Sequence, residues 1–369
     1  MAMTFTTLSL ALTLMAPAAG EVVLNLEPTK EHPRHSEGAF VTLKSGRVLF
    51  LYTQFYGGAR DESPARIVSL HSDDAGRTWS REPRVVVENE GDANVMSVSL
   101  LRLASGRIAL FYLKKNNWLD CRPYVRFSND EAQTWSEPRL VVSAPGYFVL
   151  NNDRVIQLST GRLVMPLAFH RSRGGDPHSS RSFDGRALAL WYLSDDEGQT
   201  WREADSWWAL PAATRTGLQE PGVVERADGT LLSWFRTDQG AQFVSESKDA
   251  GKTWSAPRAS ALKSPVSPAS LKRQPGTSDL LAIYNDHSGE FAFPAGKRTP
   301  LVSSLSVDGG QTWSWRKALE TDADGWYCYT AIHFTGDAVL LAYCAGDVKV
   351  GGLNRLRIRR VPLAELRNL

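Results

Sequence analysis

The sequence predicts an all-β chain, a six-bladed β-propeller of four-stranded antiparallel blades. Two periodic signals carry that expectation. The first is an octamer, Ser-x-Asp-x-Gly-x-Thr-Trp, which recurs at residues 72–79, 128–135, 194–201, 247–254 and 306–313. Only the copy at 128–135 departs, with Ala132 in place of the glycine. The second is a tight polar turn inside an apolar stretch, centred on Gly46, Gly106, Gly161, Gly229, Gly276 and Gly336. Self-similarity at a period of 50 residues or more points to an array of like supersecondary units.

At the N-terminus, residues 8–15 are mostly apolar, and Ala16-Pro17-Ala18-Ala19-Gly20 offers small residues for cleavage. Residues 1–20 are therefore expected to be a secretory signal peptide, although the stretch before the apolar run lacks Lys and Arg. Residues 21–369 are then one domain, secreted or periplasmic. No later run approaches the roughly 20 apolar residues of a membrane span.

Each unit reads strand, glycine turn, strand, variable loop, strand, octamer turn, strand. Val48-Leu49-Phe50-Leu51-Tyr52 and Ile108-Ala109-Leu110-Phe111-Tyr112 are continuous, β-prone runs that suit strands buried on both faces. In the octamer, the Asp can accept hydrogen bonds from backbone N–H groups of its own turn. The Gly supplies a conformation that a Cβ opposes, and the Trp is a large apolar anchor. The octamers are therefore turn locks rather than five acidic binding sites, since every such unit carries the same residues. The sixth unit ends at Arg357-Ile358-Arg359-Arg360-Val361 without an octamer. Its fourth strand is expected from the N-terminus, around residues 22–26, which would close a ring of sheets with only short, protected edges.

Composition excludes some functions. The chain is 42% hydrophobic and 22% charged with a net charge of +2, which argues against disorder and calls for neither nucleic acid nor an anionic membrane. Three cysteines without a C-x-x-C pair do not make a disulfide scaffold. Cys328 and Cys344 lie equally far from Gly336, so they could face each other across a hairpin as a disulfide or as two thiols. His32-x-x-His35 is too short and isolated for a metal site, and the glycines of 289–297 lack phosphate-loop spacing. The longest variable loop, between Phe169 and Ala187, is basic and glycine-rich; it either covers a binding face or is simply solvated.

A propeller gathers the heads of its innermost strands at one mouth of the central channel. Counting back nine residues from each turn glycine gives Glu37, Ser97, Asn152, Glu220, Ser267 and Tyr327. All are polar at the heads of apolar strands, which suggests a wet, functional mouth with Glu37 and Asn152 among its substrate-binding groups. Arg34 precedes the first strand, Asp61 sits in the loop from Gly57 to Pro64, Arg236 follows Leu231-Leu232-Ser233-Trp234-Phe235, and Arg298 precedes the strand beginning at Leu301.

The five octamers resemble the Asp-boxes of the sialidase superfamily, whose fold is the six-bladed propeller. The segment from Glu220 to Arg236 is similar to the one that supplies that family's catalytic glutamate and second arginine. Lys297-Arg298-Thr299 resembles the third arginine, the Tyr327-to-Gly336 spacing resembles that of the tyrosine nucleophile, and Asp61 resembles the acid/base. Two features depart. The family's first arginine opens an Arg-Ile-Pro motif; here that place is Ser36, and Arg34 stands two residues earlier. Tyr329 also shares a strand face with Tyr327, as a competitor for nucleophile.

The resemblance implies an exo-acting, retaining hydrolase of terminal sialic acids on a glycan, with no metal or organic cofactor. Arg34, Arg236 and Arg298 would grip the sugar carboxylate through bidentate hydrogen bonds. A tyrosine avoids the repulsion that a carboxylate nucleophile would meet there. Glu220 would take the proton from Tyr327, and Asp61 would serve the leaving group and then water. The altered first-arginine region leaves room for another acidic sugar, and a non-catalytic glycan-binding propeller would need the mouth but not the proton-transfer groups.

Overall fold

A computed structural model of the chain describes residues 18–367. The leader expected over residues 1–20 lies almost wholly outside the described residues. Among these, strands form six four-stranded blades around a channel. The first blade is Arg34–Thr42, Val48–Phe55, Ala65–Ser72 and Arg84–Val87, all antiparallel. Blades four and five repeat this order with Gln219–Glu225 to Arg258–Lys263 and Ser270–Arg273 to Ser314–Glu320. Blades two and three are joined into one sheet by Tyr147–Val149, which pairs in parallel with Asp120–Ser128 and antiparallel with Leu163–Ser172.

The ring closes as the sequence predicts. Glu21–Leu26 pairs antiparallel with Leu356–Pro362 and completes the blade that begins at Trp326–Thr335 and Ala338–Gly346. The blades pack face to face through apolar layers, such as Trp191 stacked on Trp254 with ring centroids 4.3 Å apart.

Each octamer is a closed hydrogen-bond unit on the periphery. In the last copy, Ser306 Oγ donates to Asp308 at 2.8 Å and accepts the Gly310 N–H at 2.8 Å. The Asp308 carboxylate also accepts the N–H of Gln311 and the N–H and hydroxyl of Thr312. The serine is thus as much part of the lock as the aspartate. Ala132 holds the position of the missing glycine with a left-handed φ of +65°.

The innermost strands carry the feature that shapes the mouth. In four blades, two residues oppose one across the first hairpin, and the first of the two is left-handed: Glu37 (φ +50°), Ser97 (+61°), Glu220 (+50°) and Tyr329 (+58°). Such bulges break the side-chain alternation of a strand and re-aim a residue. A left-handed conformation in a residue with a Cβ costs of order 1–3 kcal/mol and tends to collect at functional sites.

Beneath the mouth the channel is plugged. The Asp153 carboxylate accepts Lys272 Nζ at 3.0 Å and the Ile332 N–H at 2.9 Å. Buried Arg154 donates to Ala269 O at 2.7 Å and Ser270 Oγ at 3.1 Å.

Candidate active site

The four left-handed residues line one cavity of about 320 Å³ at the mouth, together with Asp61, Arg236 and Arg298. One wall is polar. The other is aromatic, with Trp118 parallel to Tyr147 at 6.1 Å and Phe183 stacked on His170 at 4.4 Å.

The centre of the polar wall is Glu220. Its Oε1 accepts Arg236 Nη1 at 2.8 Å and the Tyr329 hydroxyl at 2.9 Å. Burial works to raise the Glu220 pKa, but Arg236, Arg298 and the two hydrogen bonds overcome it and hold the carboxyl below its ordinary value. Burial, seconded by the Glu220 charge, pushes the Tyr329 phenol well up. The pair therefore rests as carboxylate and phenol, with the acceptor already in place for the phenol proton. Arg298 passes 5.5 Å from the Tyr329 ring, and its buried Nε and Nη1 have no partner in the protein.

Tyr327 is not in this cavity. Its side chain packs in the core between the fifth and sixth blades, edge-on to Tyr343 at 6.4 Å. The left-handed bulge at Tyr329 separates two residues that regular strand alternation would leave on one face. The count back from glycine missed it because the sixth hairpin is shorter. Thr335 pairs with Ala338, so Gly336 opens a two-residue turn. Gly46, Gly106 and Gly229 instead stand fourth in five-residue turns with left-handed backbones.

Two other candidates stand back from the cavity. Asn152 is fully buried, and its amide donates to Gly38 O at 2.9 Å and Tyr329 O at 3.0 Å. It ties the first and sixth bulges together beneath the floor and touches no open space. Arg34 is also buried and lies behind the wall rather than in it. Its guanidinium reaches Asp61 at 2.6 Å and Glu37 at 3.4 Å. It positions two cavity carboxyls instead of presenting an open fork.

Those two carboxyls differ. Burial would raise the Asp61 pKa, but Arg34, with Lys115 and Arg298, brings it below the ordinary value. Burial pushes the Glu37 carboxyl up to about 7 against the pull of Arg34 and Ser97. Ser97 Oγ donates to Glu37 across the blade boundary.

Lys115 was not singled out in the sequence, yet it lines the cavity and donates to Asp61 O at 3.3 Å. The signal was available: like Arg236, it is a charge at the end of an apolar strand. The aromatic wall had no such signal, because Trp118 lies in a turn, Tyr147 opens the extra strand between two blades and Phe183 opens the strand after the long loop, all outside the repeat. Among the described residues no three His, Cys, Asp or Glu are grouped to hold a metal ion. Cys328 and Cys344 are cross-strand partners and both are free thiols.

Comparison with known proteins agrees with this architecture. The chain is 25% identical over 331 residues to a sialidase of Bacteroides fragilis, covering 79% of this chain and 56% of that protein. It is 25% identical over 333 residues to a sialidase of Micromonospora viridifaciens, covering 81% of this chain and 48% of that one. The chain thus spans about half the length of these relatives. The intramolecular trans-sialidase of Ruminococcus gnavus superposes with a TM-score of 0.71 at 16% identity, covering 96% of this chain and 100% of that one, and shares the fold. Residues 51–343 match the model of the BNR repeat-like domain, and the chain belongs to that family.

Proposed function

We propose that the protein is a retaining, exo-acting glycoside hydrolase of sialidase type that works outside the cytoplasm. The observation that carries this reading is the 2.9 Å hydrogen bond from Tyr329 to Glu220 inside a cavity lined by Arg236 and Arg298. Arg298 and Arg236, both in the cavity lining, hold the sugar carboxylate. Glu220 takes the phenol proton, and the Tyr329 oxygen bonds to the anomeric carbon as the glycosidic C–O bond breaks. Protonated Asp61 gives its proton to the departing oxygen. Asp61 then takes a proton from water, whose oxygen replaces the tyrosine, and Glu220 returns the phenol proton. Retention follows from the two displacements. The aromatic wall excludes water and suits the less polar face of the sugar.

Hydrolysis of a fluorogenic α-sialoside, with the anomer of the released sugar followed by proton NMR, tests this reading. Release of the α-anomer first supports it; no turnover by folded protein removes it.

A second reading has its own observation. Glu37, in the cavity wall, and the shielded Arg34 leave two arginines rather than three facing the substrate. That arrangement suits a different acidic sugar, one with a hydrogen-bond donor opposite Glu37. A panel of α- and β-linked uronic and ulosonic acid glycosides separates the two.

A further inference from the structure

The hairpin that carries residues 172–183 stands on the Asp61 side of the cavity. The connection is continuous. Asp61 O accepts Lys115 Nζ at 3.3 Å, and that ammonium lies 4.0 Å over the Trp118 ring. The Trp118 N–H in turn donates to Pro177 O at 2.9 Å, on the hairpin itself. His170 and Phe183, at the hairpin's two stems, form part of the cavity wall. Under the mechanism above, Asp61 marks the side from which the leaving group departs, so the hairpin faces the sugar that is released from.

Just outside that wall, three guanidinium groups converge on one carboxylate. Asp184 is buried, and Arg186 holds it through its backbone N–H at 3.1 Å, Nε at 3.2 Å and Nη2 at 2.9 Å. Arg173 reaches the same carboxylate at 3.2 Å and Arg171 at 3.4 Å. One carboxylate neutralises one arginine, and Arg186 meets it with three donors. Arg171 and Arg173 are surplus charge, with side chains 68% and 53% exposed. Asp184 orients them while leaving most of their donors unused. A planar fork with free donors is suited to carboxylate or sulfate oxygens.

We propose that Arg171 and Arg173 form a subsite for an anionic group on the leaving sugar. The preferred substrate is then a terminal acidic sugar attached to a second, negatively charged sugar. This rests on the reading of the cavity as a glycosidase site with Asp61 as its acid. An anion seated there would also relieve the mutual repulsion of the gathered arginines, which favours anionic over neutral leaving groups on electrostatic grounds.

The test compares the full chain with the double variant Arg171→Ala/Arg173→Ala on three substrates. They are a fluorogenic sialoside with a neutral leaving group, an α-linked dimer of sialic acid, and a sialyl-lactose sulfated on the lactose. The expected result is that kcat/KM on one anionic substrate falls about tenfold more than on the neutral one, through KM, and that the difference shrinks near ~0.5 M salt. A larger loss on the dimer identifies a carboxylate subsite, and a larger loss on the sulfated sugar a sulfate subsite. Arg171→Lys/Arg173→Lys, which keeps the charges, should recover part of the loss and shows that the hairpin survives replacement. Equal changes on all three substrates overturn the subsite. If the wild type cleaves none of them, the glycosidase reading has failed, and the subsite is judged by calorimetric binding of the dimer at low salt. Equal affinity of wild type and double variant would then overturn it as well.

Discussion

Arg34 and Asp61 are joined at 2.6 Å, with the arginine buried and the aspartate side chain half exposed. The pair aims Asp61 across the mouth, and it also sets the pH at which Asp61 can act as an acid. A general acid must carry its proton when the substrate arrives, and the pH dependence of kcat/KM reports the free enzyme. Arg34 stabilises the carboxylate, so the proton is held only below the ordinary Asp range. Turnover of substrates with poor leaving groups is therefore expected to be greatest at acidic pH and to fall as Asp61 ionises. Arg34→Gln removes the cation, raises the Asp61 pKa and moves that falling limb to higher pH. A limb that stays in place means Asp61 is not the acid.

Glu37 makes a prediction about stability. Its pKa rises from 4.5 to about 7 on folding, so the fold favours the protonated form. The stability that this preference contributes is fully present below pH 4.5 and is lost as pH rises through about 7. The size of the loss is about 3 kcal/mol, since each pKa unit is worth about 1.4 kcal/mol. In Glu37→Gln this part of the pH dependence should vanish. Urea unfolding of both proteins at pH 4.5 and pH 8 reads the difference directly, and parallel curves would contradict the assignment.

The octamers should govern stability and not chemistry. Asp249 holds its turn through the Ser247 hydroxyl and the N–H and hydroxyl of Thr253, and the following Trp254 is stacked in the core on Trp191. Asp249→Ala is expected to cost about 2 kcal/mol, the scale of leaving several donors without their acceptor. The opposite change is available at Ala132. Its φ of +65° is costly for any residue with a Cβ, and Ala132→Gly should stabilise by about 1 kcal/mol. Thermal melts check both, and kcat of the folded fraction should stay at the wild-type value.

The fold was legible because it is written repeatedly. Glycine turns mark all six blades and octamers five of them, and the missing sixth octamer pointed to the closing strand that Glu21–Leu26 supplies. The site was legible where it obeys the repeat and obscure where it does not. Glu37 and Glu220 lie in register because their hairpins share one turn type. Tyr329 was displaced by the shorter turn at Gly336 and by a bulge that no local residue preference announces. A trace of the bulges is present in the sequence after all. The single residues opposite them are Tyr52, Tyr112, Phe235 and Tyr343, each an aromatic in the adjacent strand. Arg34 and Asn152 lie near the mouth but are buried away from the cavity, because whether a side chain faces open space or its neighbours is decided by packing between blades distant in sequence.

In the proposed mechanism Tyr329, and not Tyr327, attacks the sugar. The most direct measurement is the single-turnover rate on a fluorogenic α-sialoside for wild type, Tyr329→Phe and Tyr327→Phe, with melting curves to confirm folding. A loss of at least about 10³-fold is expected in Tyr329→Phe, the scale on which removal of a covalent nucleophile acts. Tyr327→Phe should keep most of the rate. A collapse in Tyr327→Phe with Tyr329→Phe still active would contradict it.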